Sequence, residues 1–346
     1  SISVDTIACV TPRADNKIVV ASVGYPQVEV DLNDLAPHEA EYGDSVALVR
    51  GVCAYFSEHN FAVGGFSATT TSDVFKGAGV SSSACFEVLV SEILNQMFND
   101  GKIGKFDKVL ASHHAESVFF GKPCGLLDQS AIAFGGVSYI DFKSTTAPIF
   151  ESIDWNFENN CKIVLTNTGG DHSNLTSQYA VIRQEMEDVA AAFGKTKLRE
   201  VCPTEFYKNI AKLQQSVSGR AILRAMHFYD ENDRVVTAAN AVKENNFDKF
   251  CDMINASGMS SYTMLQNCCP IGDTVQRIPL AINLSKKQDG VKAVRVHGGG
   301  FAGTIIAYID GASVNNYVSM MKENFGEENV FVIGIRNDGA CKINLK

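Results

Sequence analysis

The sequence predicts an α+β protein built as two lobes, and three observations carry that prediction. A chain of 346 residues exceeds what one ordinary core serves. Strand and helix patterns follow one another irregularly, without a regular βα repeat. A polar stretch, "KSTTAPIFESIDWNFENN" (143–160), separates a mixed first half from a helix-rich second half and reads as a linker. The boundary therefore falls near 159, giving an N-terminal lobe of 1–159 and a C-terminal lobe of 160–346.

Taken in order, "ISVDTIACV" (2–10) and "KIVVASV" (17–23) alternate like strands across the turn-like "TPRADN", and "AVGGFSATTTS" (62–72) is a third strand. A helix pattern covers 44–59. Residues 82–98 and 105–119 also read as helices, the first because Val88, Leu89, Ile93, Leu94 and Met97 recur at helical spacing. "GKPCG" (121–125) breaks the chain and "LLDQSAIAF" restarts it, before strands at 136–142 and 161–168. Helices follow at 174–193, 203–216, 219–243, 246–257 and 271–286. A strand at 291–296, a glycine turn running into a further strand, a helix at 313–325 and a strand at 329–335 close the chain. The strand-like opening without a methionine predicts further residues upstream of Ser1.

Composition excludes several classes. The balance of 45% apolar and 20% charged residues is that of a globular chain. A net charge of −9 argues against nucleic acid or an anionic membrane as partner. No apolar run approaches the ~18 residues of a membrane span, and the first residues lack a signal-peptide pattern. Ten cysteines lie scattered with no CxxC pair, which fits reduced thiols in the cytoplasm. Nothing calls for an obligate protein partner.

Three stretches could do chemistry. "FKGAGVSSSACFEVLV" (75–90) runs two glycines and three serines into a helix. First-turn amides without carbonyl partners, a helix dipole and glycines that admit close approach make an anion seat, and serine hydroxyls suit phosphate oxygens or magnesium. It is not a P-loop, since GxxxxGK[S/T] is absent; a Ser-capped helix after a glycine turn reads as well. In "HHAESVFFGKPCGLLDQ" (113–129), Glu116 lies late on one helix and Asp128 early on the next. Two acids brought to one cleft suit phosphoryl transfer, one holding a metal and the other taking a hydroxyl proton; a solvated Glu116 and a helix-capping Asp128 are the plainer reading. In "VHGGGFAGTIIAYI" (296–309), Gly298, Gly299 and Gly300 allow close backbone approach, or form only a turn.

Taken together, Gly-x-Gly-x-Ser-Ser-Ser-Ala, Gly-x-x-Asp-Gln after Pro-Cys, and Gly-Gly-Gly-Phe-x-Gly, in that order, resemble the GHMP small-molecule kinase superfamily, and within it the galactokinases. "KIVLTNTGGDHSNLTSQYAVIRQEMEDVAAAFGKTKLREV" is similar to the galactokinase stretch beyond the catalytic Asp, and nearly the whole chain aligns with the family. The resemblance implies a ribosomal-S5-domain-2-like N-terminal lobe and a ferredoxin-like C-terminal lobe. It implies an ATP- and Mg²⁺-dependent enzyme that phosphorylates galactose at its anomeric hydroxyl. Gly77, Gly79, Ser81, Ser82, Ser83 and Ala84 would cradle the ATP phosphates, with Gly299 and Gly300 beside them. Ser82 or Ser83 would join Glu116 around Mg²⁺. Asp128 would be the catalytic Asp that takes or orients the proton of the anomeric hydroxyl, and Gly125 and Tyr179 would contact the sugar.

Two departures stand against the family pattern. The Gly-Arg-x-Asn/Glu-(Leu/Ile)-x-Gly-(Glu/Asn)-His-Thr-Asp segment, with its catalytic-site Arg and its galactose-gripping Glu, His and Asp, is not among the 346 residues. That predicts weak activity for this chain alone and an exposed sheet edge. The family's adenine-side tryptophan has no counterpart, the single tryptophan being Trp155. Another sugar (N-acetylgalactosamine, arabinose or a heptose) remains open as substrate, as does a silent sugar and ATP sensor. Sensors of that kind tend to lose part of the serine run, which is intact here.

Overall fold

Period-two alternation builds the first sheet. Strand β2 (Lys17–Ser22) forms where the pattern predicts, β1 (Thr6–Pro12) and β4 (Phe66–Ser72) each begin four residues later than expected with β1 running into the expected turn, and a four-residue strand, β3 (Val28–Asp31), joins them unpredicted. The computed structural model describes residues 1–74, 79–169, 176–301 and 303–344. Within these the sheet order is β1-β4-β2-β3, with β4 antiparallel to β1 and parallel to β2. Ile18, Val20, Val30, Phe66 and Ala68 fall on one face and are buried under helix α1 (Ser45–Glu58). Asp44 starts α1 by accepting the Val46 amide hydrogen bond at 2.9 Å. Val49, Val52, Cys53 and Phe56 of α1 share this core with Val90 and Leu94 of α2 (Ser82–Phe98) and Ala111 of α3 (Lys105–His114).

The helix expected over 105–119 is α-helical only as far as His114. Its final turn, Ala115–Phe119, widens to a π-helix. After the Pro-Cys-Gly break, α4 (Leu127–Phe134) follows.

The second sheet has the order β10-β7-β9-β8, antiparallel at every pairing, from β7 (Lys162–Asn167), β8 (Val291–Val296), β9 (Thr304–Ile309) and β10 (Val330–Ile333). Helices α5 (Thr176–Ala191), α6 (Pro203–Lys208), α7 (Ile210–Leu213), α8 (Gly219–Lys243), α9 (Phe247–Ser260) and α10 (Arg277–Ser285) lie between β7 and β8, and α11 (Val314–Phe325) lies between β9 and β10. Stripped of its extra helices this is the βαββαβ order of a ferredoxin-like lobe. Its core gathers Val164, Val294, Ile305, Ala307 and Ile309 of the sheet with Ile278, Ile282, Tyr317 and Met321 of the helices.

Several expected elements differ. The stretch 143–160 is not all linker, since Ile149–Ile153 forms β6 and pairs with β5 (Val137–Asp141). The Phe142 and Phe150 rings meet edge to face at 6.2 Å there, a contact that polar composition concealed. The helix expected at 203–216 splits at Asn209, whose side-chain amide bonds the Glu205 carbonyl at 2.8 Å. The helix expected from 271 begins at Arg277, which keeps Pro279 within the first turn, where a missing N–H is harmless.

The described residues divide into two compact units. One comprises residues 1–74, 80–138 and 335–344; the other comprises the described part of 139–334 together with Gly79. The division falls at 138/139, ahead of the 159/160 expected. The β5–β6 hairpin is tied into the second unit by the Arg199–Asp141 and Lys243–Glu151 ion pairs. The chain end returns to the first unit through an Ile2–Ile335 bridge and an Arg336–Asp5 ion pair at 3.0 Å.

Candidate active site

The serine run enters α2 as expected, but its first serine does not cap the helix. Ser81 sits at the N-cap in the left-handed region (φ 59°, ψ 53°) and makes no side-chain capping hydrogen bond. Its hydroxyl turns away and donates to Asp128 Oδ2 in the first turn of α4. The Ser-capped reading therefore fails. Left without carbonyls one turn back, the first amides of α2 keep their donors at a helix end of positive potential. Ser82 is exposed, Ser83 half-buried, and Ala84 buried, so Ala84 can offer only its amide. Gly79 takes φ +67°, with nothing described within 4 Å of where a Cβ would stand. Gly77 lies outside the described residues.

Ser83, not Ser82, meets the second acid. Its hydroxyl donates to Glu116 Oε1 at 3.1 Å. Glu116 is 3% exposed, which overturns the solvated reading. Lys122 Nζ donates to the same oxygen at 2.8 Å, and Gln129 Nε2 donates to Oε2 at 2.9 Å. The π-turn aims this carboxylate, as such local bulges often do at functional sites. The turn lies close against α1 at Gly51, where a Cβ would come 2.6 Å from the Ala115 Cα.

Behind this pair lies a third acid that sequence reading missed. Glu87 is fully buried on α2, one helical turn beyond Ser83, and no hydrogen bond closes on either carboxylate oxygen among the described residues, although the Gln129 side chain stands near enough to temper its charge. Burial, reinforced by the negative Glu116, pushes its carboxyl up to about 9. Glu87 is therefore a neutral acid near pH 7. A glutamate on the apolar-rich face of a predicted helix was the available signal. Gln129 was visible within the Asp-Gln motif, but no role could be read for it. His114 packs between the Tyr55 and Phe119 rings at 5.9 and 5.4 Å, as a core residue does.

In the second unit the structure joins three more of the predicted residues. Tyr179 on α5 donates its hydroxyl to the Gly300 carbonyl at 3.0 Å. A Cβ at 299 would meet the Tyr179 ring at 2.7 Å, and one at 300 would meet the Asn267 carbonyl oxygen at 2.1 Å. Only glycines fit there. Asn267 itself, missed in the sequence, bonds the Gly299 carbonyl through Nδ2 at 3.1 Å. Gly125 has open space on its Cβ side, leaving its backbone approachable. Trp155 packs on Phe157 and Phe250 at 5.0 and 5.4 Å as core of its own unit.

An anion seat at a helix start, two acids tied to its serines and a hard-oxygen pair for a divalent cation are the parts that phosphoryl transfer requires. Residues 47–136, which hold most of α1, the serines and both acids, match the GHMP kinases N terminal domain. With its fold, this makes the chain a two-lobe small-molecule kinase of the GHMP superfamily.

The relatives narrow the class. The chain is 30% identical to Homo sapiens galactokinase over 319 residues, covering 91% of this chain and 75% of that protein. It is 28% identical to a Thermotoga petrophila galactokinase over 299 residues, covering 85% and 81%. The chain belongs to the galactokinase family. Its fold superposes on the crystal structure of Lactococcus lactis galactokinase complexed with galactose at a TM-score of 0.83, with 23% identity, over 99% of this chain and 88% of that one.

Proposed function

We propose that the protein transfers the γ-phosphoryl group of ATP to the anomeric hydroxyl of galactose, giving galactose 1-phosphate. The observation that carries this reading is the double tie at the start of α2, Ser81 to Asp128 and Ser83 to Glu116. It brings a solvent-facing acid and a buried acid to the same helix end.

Roles divide by environment. Asp128 is exposed and in the first turn of α4, free to accept the sugar hydroxyl's proton while Ser81 orients it. The α2 amides of Ser81–Ala84 cradle phosphate oxygens. Glu116 and Ser83 suit Mg²⁺, which takes one or two protein oxygens and completes its shell with phosphate and water. Among the described residues no three His, Cys, Asp or Glu side chains converge. Bound there, Mg²⁺ supplies charge neutralisation of the phosphates. The Gly125 backbone, open on its Cβ side, contacts the sugar on this reading. The unpaired thiols support a cytoplasmic setting.

Coupled detection of ADP with galactose, N-acetylgalactosamine, arabinose and a heptose tests the reading. Galactose should give the highest kcat/KM and a product phosphorylated at the anomeric carbon. A higher kcat/KM on another sugar overturns the galactose assignment. ATP and galactose binding without ADP release points to a sensor.

A further inference from the structure

We propose that Lys122 is the cation that holds Glu116 before the metal arrives, and that metal binding exchanges it onto the nucleotide's phosphates. This rests on the reading of Glu116 as the metal carboxylate. Glu116 Oε1 accepts from both Ser83 and Lys122, so both its lone pairs are engaged. A divalent cation binding that oxygen needs one of them. Ser83 can stay as a co-ligand, because its hydroxyl rotates and its oxygen keeps free lone pairs. Lys122 cannot, since an ammonium has no acceptor and repels the incoming ion. Gln129 serves the other oxygen and is buried, so it remains in place.

Lys122 is also the partner free to move. Its side chain is 59% exposed, against 4% for Glu116. It stands beside Ser83 at the start of α2, where phosphate oxygens are the natural next partner for a displaced ammonium. A nearly buried carboxylate thus keeps a counter-charge in both states, and the nucleotide gains a cation when the metal lands.

Three variants test the exchange: Lys122→Met, Lys122→Arg and Glu116→Gln. The first readout is Mn²⁺ binding to nucleotide-free protein, followed by water-proton relaxation. Without its competitor, Lys122→Met should bind Mn²⁺ at least about fivefold tighter than the unaltered protein. Lys122→Arg, which keeps the charge, should stay within about twofold. The second readout is the KM for ATP, which should rise at least about fivefold in Lys122→Met. Mn²⁺ binding that is no tighter in Lys122→Met, or too weak to measure in both, overturns the exchange. An unchanged KM for ATP overturns the transfer to phosphate. If Glu116→Gln leaves Mn²⁺ binding intact, the metal reading itself has failed. If Glu116→Gln abolishes it while Lys122→Met changes nothing, only the exchange has failed.

Discussion

Ser81 holds a left-handed backbone conformation without being glycine, which makes Ser81→Gly and Ser81→Ala an informative pair. Both remove the hydroxyl bonded to Asp128, so that loss cancels between them. What differs is the backbone. An L-residue with a Cβ costs about 1–2 kcal/mol in the left-handed region, and glycine does not. Glycine loses more unfolded-state entropy on folding, which offsets about 0.4–1 kcal/mol. Ser81→Gly should therefore be about 1 kcal/mol more stable than Ser81→Ala, a Tm gap of about 1–2 °C. Both variants should be slowed alike relative to the unaltered protein, because neither orients Asp128. Thermal unfolding by circular dichroism, together with kcat on galactose, reads both effects. Equal Tm values would show that Ser81 carries no backbone strain; Ser81→Ala with full kcat would show that its hydroxyl does not serve Asp128.

Four further expectations follow from the site. Asp128→Asn should lower kcat by about 10²–10⁴ while nucleotide affinity stays within about twofold, and an intact kcat would remove Asp128 from the mechanism. Gly51→Ala places a methyl 2.6 Å from the Ala115 Cα. It should cost about 1–3 kcal/mol and raise the Mg²⁺ requirement by displacing the turn that bears Glu116; an unchanged urea midpoint would argue against so tight a contact. The Glu87 carboxyl lies near 9 in the folded state, against an ordinary 4.5. Between those values the folded chain keeps a proton that the unfolded chain has released, so stability falls as pH rises, by up to about 1.4 kcal/mol per unit. Glu87→Gln should flatten that slope between pH 6 and 8 in urea unfolding, and a parallel slope in both proteins would refute the neutral acid. Finally, Mg-ATP at about 100 times its Kd should stabilise the protein by about 2.7 kcal/mol, seen as a raised Tm.

Local pattern was enough for much of this protein. Period-two runs and helical spacing located β1, β2, α1, α2 and the later helices, because each must turn one apolar face to a core. The ordered glycine and serine motifs disclosed the family, since phosphate-binding backbone tolerates few residue types. Other features depended on partners distant in sequence. β6 pairs with β5, with the Phe150 ring against Phe142, and β3 pairs with β2 as a short edge. Which serine meets Glu116 was decided by packing, which sets Ser83 on the carboxylate, and the proton on Glu87 by burial beside another carboxylate. Lys122 looks like any surface lysine until folding sets it on Glu116. Spacing along the chain reports which face a residue occupies; the charge state and partner of a side chain depend on dielectric and neighbours, and those come into being only when the elements pack.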